Sequence, residues 1–385
     1  MTNRAFRVVV PALALFLTAF LISQATAAKS TAAKVTSLPG VNAFLTDMIP
    51  DDPERAGTFF AELKKGGANT VILGPPETGY TAGRSTLPDI VSRAHTAGLK
   101  VYLIVPVRNM PDVLAVKPRW EDMKYDLNSG TIQPTGRLDL FKDDVVDYLS
   151  SRIKDLASTG VDGILFGTDL YYDDVEAMTS DTLQTYANRF NAALIPGRAF
   201  ARVENLQGGL VVVEYGAGFR EWAEMKRDRL IVVIQKIMDD VRAEHAGMLF
   251  GLPLHEEGLA SAEAALNRFA YDMEAFRQLN VDLYWIAIKH RRMRARKGMG
   301  YKESMEALAR IAQAGNEAVK APSRALIILQ TASSSGKVLP YSEIEKTASL
   351  ARKGGNPYLA FTAAEERSLP AVLTKKLFKG NDSPR

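Results

Sequence analysis

The sequence predicts an α/β chain folded as a single (β/α)₈ barrel, and three observations predict it. Short apolar runs alternate eight times with longer amphipathic stretches between residues 41 and 361. The runs are continuous in Val, Ile, Leu and Phe, as strands are when both faces of a parallel sheet are covered; a half-solvated sheet would show a period of two. The chain has 385 residues and no cysteine, so its core must come from burial without disulfides, and the length suffices for that. An open doubly wound sheet shares the same local pattern and is the alternative architecture.

The elements follow in order. Residues 41–45 form the first strand, and Pro53 to Lys65 a helix with Phe59, Phe60 and Leu63 on one face. Residues 70–73 are the second strand, Pro88 to Ala97 a helix whose proline suits a first helical position, and 101–105 the third strand. A long insert from Arg108 to Arg137 precedes a helix over 143–157 with Val146, Leu149, Ile153 and Leu156 at core spacing. The fourth strand, 161–166, runs into a long acidic loop with helical material near 183–194 and a strand-like run at 210–213. A helix over 222–244 leads to the fifth strand, 248–252. One helix over 263–279 carries Leu266, Phe269, Met273, Phe276 and Leu279 on one face and precedes the sixth strand, 281–286. A helix over 301–319, the seventh strand at 325–329, a helix over 342–351 and the eighth strand at 358–361 complete the pattern.

The ends have different characters. Arg4 and Arg7 precede the apolar run 8–22, which ends at Ser23-Gln24-Ala25-Thr26-Ala27, so residues 1–27 read as an export signal cleaved after Ala27. An uncleaved membrane anchor is the alternative, against which the shortness of the run speaks. Residues 28–38 read as a linker, 39–373 as the barrel with long loops after its third and fourth strands, and 374–385 as a basic flexible tail. The expected location is periplasmic or secreted. The formal charge is +4, and falls to +2 without Arg4 and Arg7, which gives no reason to invoke nucleic acid. No cofactor is indicated: glycine-rich nucleotide motifs are missing, and His245, His255 and His290 lack metal-ligand spacing. No Gly-x-Ser-x-Gly elbow supports a serine esterase. Oligomeric state is not legible.

In a barrel of this kind the working groups stand at the C-terminal ends of the strands, so position is more informative than residue type. Asp169, at the exit of the fourth strand, is the first catalytic candidate; Asp47, Glu256 and Glu257 are possible second carboxylates. Glycosidic cleavage needs a proton donor together with a base, a nucleophile or a substrate group playing that part. A carboxyl group near a second acid at a strand end can have the raised pKa that a proton donor requires. The competing reading is a loop aspartate that caps or solvates, and first-turn helix charge for the Glu pair. Aromatic faces suit sugar rings, and Tyr171, Tyr172, Trp120 and Trp285 with His255 are the candidate binding residues; core packing is the ordinary alternative for each. Lys289 to Lys297 is the densest basic cluster, either a solvated helix face or a contact for an anionic glycan, lipid or protein.

Two stretches carry a family resemblance. Asp162-Gly163-Ile164-Leu165-Phe166-Gly167-Thr168-Asp169 resembles a strand of the form Asp-Gly-Ile-Leu-Phe-His-Asp-Asp, and Trp222, Lys226 and Leu230 match a helix opening Trp-x-x-x-Lys-x-x-x-Leu. Both belong to the glycoside-hydrolase-type barrel of periplasmic poly-β-1,6-N-acetylglucosamine deacetylases and related hypothetical glycosyl hydrolases. The resemblance implies a barrel acting on a partly deacetylated amino-sugar polymer of the envelope or biofilm, and a catalytic role for Asp169. Gly167 and Thr168 replace a histidine and an aspartate of the motif. The deacetylase domain that precedes the family's barrel has no counterpart before residue 41 in this sequence, so deacetylation is not implied. A non-catalytic glycan-binding or envelope-assembly protein is the second functional expectation, and a structural partner docking through the basic cluster the third.

Overall fold

The computed structural model describes residues 42–46, 49–50, 52–74, 86–206, 209–320, 324–333, 337–353 and 358–362. The expected signal, linker and tail lie outside them, as does Asp47. In chain order the elements are β1 (Asn42–Thr46), α1 (Pro53–Lys65), β2 (Thr70–Leu73), α2 (Leu87–Thr96), β3 (Lys100–Val105), α3 (Pro111–Val116), β4 (Glu121–Asp126), β5 (Thr131–Leu138) and α4 (Asp143–Ala157). Next come β6 (Gly163–Phe166), α5 (Ser180–Phe190), α6 (Pro196–Ala199), β7 (Arg202–Leu206), β8 (Gly209–Glu214), α7 (Phe219–Glu244) and β9 (Leu249–Pro253). The last are α8 (Ala262–Phe269), α9 (Met273–Phe276), β10 (Leu283–Ile288), α10 (His290–Lys297), α11 (Tyr301–Ala318), β11 (Arg324–Leu329), α12 (Tyr341–Lys353) and β12 (Leu359–Thr362).

Eight parallel strands close in the order β1-β2-β3-β6-β9-β10-β11-β12, with β12 pairing back onto β1, so the barrel is the correct alternative and the open sheet is not. The continuous apolar runs follow from this closure. Alternate residues serve two cores: Ala43, Ile72, Tyr102, Ile104, Leu165, Leu283, Trp285, Leu326, Ile328 and Ala360 fill the interior. Their neighbours Phe44, Val71, Val101, Ile164, Phe250 and Ile327 face the surrounding helices. Helix starts obey the capping rules. Asp52 accepts the Glu54 and Arg55 amides at 3.0 and 2.9 Å ahead of Pro53, which has no N–H to leave unpaired.

A side-chain stitch recurs at the lower rim of the barrel. Asp162, just before β6, accepts the Val101 amide of β3 at 2.8 Å and bonds His95 at 2.9 Å. Asp282, just before β10, accepts the Phe250 amide of β9 at 2.8 Å and pairs with Arg242. These contacts explain why two strands begin two residues later than the apolar runs suggest: the aspartate is spent on gripping its neighbour. Gly163 follows for a steric reason, since a Cβ there would lie 2.8 Å from Tyr102 Cδ1 in the barrel interior.

One further expectation needs correction, and two are filled in. The helix expected over 263–279 is two helices, because Ala270 adopts a left-handed conformation (φ 52°) that ends α8 and lets Asp272 cap α9. The insert after β3 contains the antiparallel hairpin β4–β5, and the strand-like run after β6 is one arm of the hairpin β7–β8. Among the described residues no helix is long and apolar enough to cross a membrane.

Candidate functional site

At the C-terminal ends of the strands the barrel opens into a cavity of about 500 Å³. Leu45, Ile104, Trp285, Ala287 and Ile328 form its apolar floor, and Asn109, Thr168, Asp169, Lys289, Gln330 and Thr362 its polar rim. Trp285 is held in place by donating its indole N–H to the Phe166 carbonyl at 3.1 Å.

Asp169 is the acid that lines this mouth among the described residues. Its Oδ2 accepts three successive backbone amides from the loop after β3: Val107 at 2.9 Å, Arg108 at 2.8 Å and Asn109 at 2.7 Å. The carboxylate therefore clasps the exits of β3 and β6 together. Oδ2 is thereby engaged by three donors, and the other carboxylate oxygen is Oδ1. That atom lies where a side chain at position 167 would go: a Cβ on Gly167 would meet Oδ1 at 2.4 Å. The glycine that replaces the motif histidine is thus a steric requirement of this aspartate conformation.

The loop that grips Asp169 is itself anchored by a buried charge network. Arg108, fully buried, donates to Asp122 at 2.6 Å, to Glu176 at 2.7 Å and to the Tyr171 and Leu138 carbonyls, with its guanidinium 4.1 Å over the Tyr172 ring. Arg137 adds a second bond to Glu176 at 2.8 Å. Burial works to raise the Glu176 carboxyl, but Arg108 and Arg137 overcome it and hold it below the usual range, whereas burial prevails at Asp122 and pushes it up. Lys226 donates to the Asp173 and Asp174 carbonyls at 3.0 and 3.1 Å, and burial lowers it to about 8 against the pull of Asp174. This contact gives the Trp-x-x-x-Lys pattern of α7 its meaning: the lysine caps the acidic loop from below. The Arg108 network had no readable sequence signal, because Asp122 and Glu176 stand 14 and 68 residues from Arg108 and look like ordinary loop acids.

The structure separates the other expected site residues. Trp285 and Asp169 meet in the mouth. Tyr171 and Tyr172 are 3% and 0% exposed, so they are core residues and offer no face to a sugar, a correction that follows from the apolar packing of Tyr171 on Tyr271 and Phe276. Trp120 is also nearly buried; it donates to Asp144 at 2.6 Å beside a separate hollow lined by Arg119, Phe141 and Lys142. His255 stacks on Phe269 at 4.3 Å; burial lowers its pKa against Glu257 and a hydrogen bond with the Thr168 backbone. Glu256 pairs with Lys297 at 2.8 Å and Glu257 with Arg268 at 3.3 Å, and neither lines the mouth. No partner carboxylate for Asp169 is therefore found among the described residues lining the cavity.

The basic cluster is only partly a free surface. Arg291 forms a two-point pair with Glu343 at 2.9 and 2.7 Å, and buried His290 bonds the same carboxylate at 2.8 Å. The Arg291 bonds first, and then His290, hold Glu343 down at about 2. A carboxyl depressed in the folded state stabilises it above its unfolded value, near 4.5, and loses that contribution as the pH falls toward 2. Denaturant melts between about pH 6 and pH 2.5 should show the gap between the natural protein and Glu343→Gln shrinking by up to about 3 kcal/mol across that window. A gap independent of pH would refute the assignment.

No family model and no curated protein matches the chain. Among solved structures, the PgaB (BpsB) glycoside hydrolase domain from Bordetella bronchiseptica is similar, with a TM-score of 0.69 and 16% identity over 88% of this chain and 99% of that one. The catalytic domain of a β-amylase from Paenibacillus polymyxa gives 0.55 and 11% over 90% and 100%. A β-galactosidase from Rahnella sp. R3 gives 0.59 and 13% over 89% of this chain and 56% of that one. At such identities the likeness is one of fold: the chain shares the closed eight-stranded barrel of these structures.

Proposed function

We propose that this is an exported, glycoside-hydrolase-like barrel that receives a polysaccharide in its mouth, with Asp169 as the anchoring carboxylate and Trp285 as the apolar floor. The observation that carries this reading is the composition of the cavity: an indole and aliphatic floor under a rim of amide, hydroxyl, ammonium and carboxylate groups. Sugar rings present the matching pair of surfaces, apolar C–H faces and polar edges. Export rests on the N-terminal sequence, and the amino-sugar polymer of the resembling family is the first ligand to test.

A second reading, binding without cleavage, is favoured by the engagement of Asp169 Oδ2 with three amides and by the pairing of Glu256 and Glu257 to surface cations. One experiment separates the two. The purified protein is incubated with partly deacetylated poly-β-1,6-N-acetylglucosamine, products are profiled, and binding is measured in parallel. Hydrolysis predicts shortened chains and a loss of about 10²-fold or more in Asp169→Asn. Binding alone predicts affinity with unchanged chain length. Neither affinity nor cleavage for this or any other envelope glycan would remove both.

A further inference from the structure

The rim of the mouth is held on two sides by different means. Asp169 stitches the exits of β3 and β6, and four strands round the ring, opposite them, stand the exits of β11 and β12. There Gln330, just after β11, lines the cavity together with Thr362 at the end of β12. The side-chain amide of Gln330 is gripped at both ends: Oε1 accepts the Arg291 amide at 3.2 Å, and Nε2 donates to the Ala332 carbonyl at 2.5 Å. The two bonds fix which way the amide faces. Thr331 continues the rim, donating its backbone amide to Thr362 Oγ1 at 3.0 Å and its hydroxyl to the Thr362 carbonyl. Arg291 is fixed in turn from α12. Its guanidinium meets both oxygens of Glu343 at 2.9 and 2.7 Å, and buried His290 bonds one of them at 2.8 Å. A two-point pair of this kind sets direction as well as distance. Glu343 is 8% exposed, so it holds the first turn of α10 without reaching a ligand itself. An unbroken path of contacts thus runs from Glu343 through Arg291 and Gln330 to Thr362.

We propose that Glu343 is a positioning residue of the mouth: by locking Arg291 it fixes the Gln330 amide, and with it the rim opposite Asp169, in the geometry that receives a saccharide. The inference rests on the saccharide-binding reading and adds to it a residue outside the ligand's reach. Groups that bind must be held within about 0.5 Å of their working geometry, and the Arg291 amide can do this for Gln330 only while α10 is pinned.

The test is a double-mutant cycle read as affinity, with the full chain titrated against partly deacetylated poly-β-1,6-N-acetylglucosamine oligomers of one length. Each variant is titrated below its melting temperature, and its melt is recorded. Glu343→Gln keeps the shape of the side chain and removes its charge; it should weaken binding about fivefold, and Gln330→Ala about as much. Once Gln330 is gone the path is cut. Adding Glu343→Gln to Gln330→Ala should therefore cost little further affinity, although its cost in melting temperature persists. Arg291→Lys keeps the charge but not the two-point pair, and should fall between the natural protein and Glu343→Gln. The Arg291 side chain is partly exposed, so this variant carries the cycle if Glu343→Gln does not fold. Affinity unchanged in Glu343→Gln, or losses that multiply in the double variant, would leave Glu343 a structural role only and overturn the inference, with the saccharide site still in place. Failure of the natural protein to bind the oligomers overturns the saccharide reading for this ligand, and the inference with it.

Discussion

Replacing Arg108 with leucine is expected to lower the free energy of unfolding by about 3–5 kcal/mol, the usual cost of removing one partner from a buried ionic cluster. The guanidinium is fully buried and donates to two carboxylates and two carbonyls. Its loss leaves Asp122 without its cation and Glu176 with Arg137 alone. Neither acid can reach water easily, as both are nearly or fully buried. Equilibrium denaturation measures the cost, and the cluster itself supplies the control. Adding Asp122→Asn and Glu176→Gln to the leucine variant should recover part of the loss, because neutral amides tolerate burial better than unpaired carboxylates. A cost below about 1 kcal/mol would show that the loops after β3 and β6 are not locked by this network. The same variant should weaken ligand binding, since the backbone of Arg108 is one of the three donors that hold Asp169.

Gly167→Ala should be almost as damaging, by about 2–4 kcal/mol, although it adds a single methyl group. The new Cβ would sit 2.4 Å from Asp169 Oδ1 and 3.1 Å from the Val105 carbonyl oxygen. The backbone at Val105 cannot yield without disturbing the β3–β6 pairing, so the carboxylate must move and give up some of its three amides. The saccharide binding proposed above should be lost together with the stability. A double-mutant cycle isolates the cause. In an Asp169→Ala background the carboxylate is gone, and the additional cost of Gly167→Ala should fall well below its cost in the natural protein. Additive costs would mean that position 167 is sensitive for a reason other than Asp169.

The residues that made the barrel legible are those whose burden is local. Strands such as residues 70–73 and 101–105 are apolar on both faces because both faces are covered, and helices such as Asp143–Ala157 repeat their apolar side at the period of the helix. Such patterns survive in one dimension. The sequence by itself therefore determined the eight strand–helix alternations and the placement of Asp169 at a strand exit. It gave no means of telling Trp285 from Trp120, or the solvent-facing acids from the buried ones, since composition is the same in either case.

Tertiary structure alone decided how the site is composed. Closure of the sheet carried Leu45, Ile104, Trp285 and Ile328, from four strands spread over most of the chain, to one floor. It sent Tyr171 and Tyr172 inward and matched Glu256 and Glu257 with Lys297 and Arg268, which removed them from the mouth. It also joined Arg108 to acids 14 and 68 residues away. The physical reason is common to all three: hydrogen bonds and ion pairs between distant loops depend on which strand ends become neighbours. That adjacency is a property of the closed barrel, with no trace in the spacing of residues along the chain.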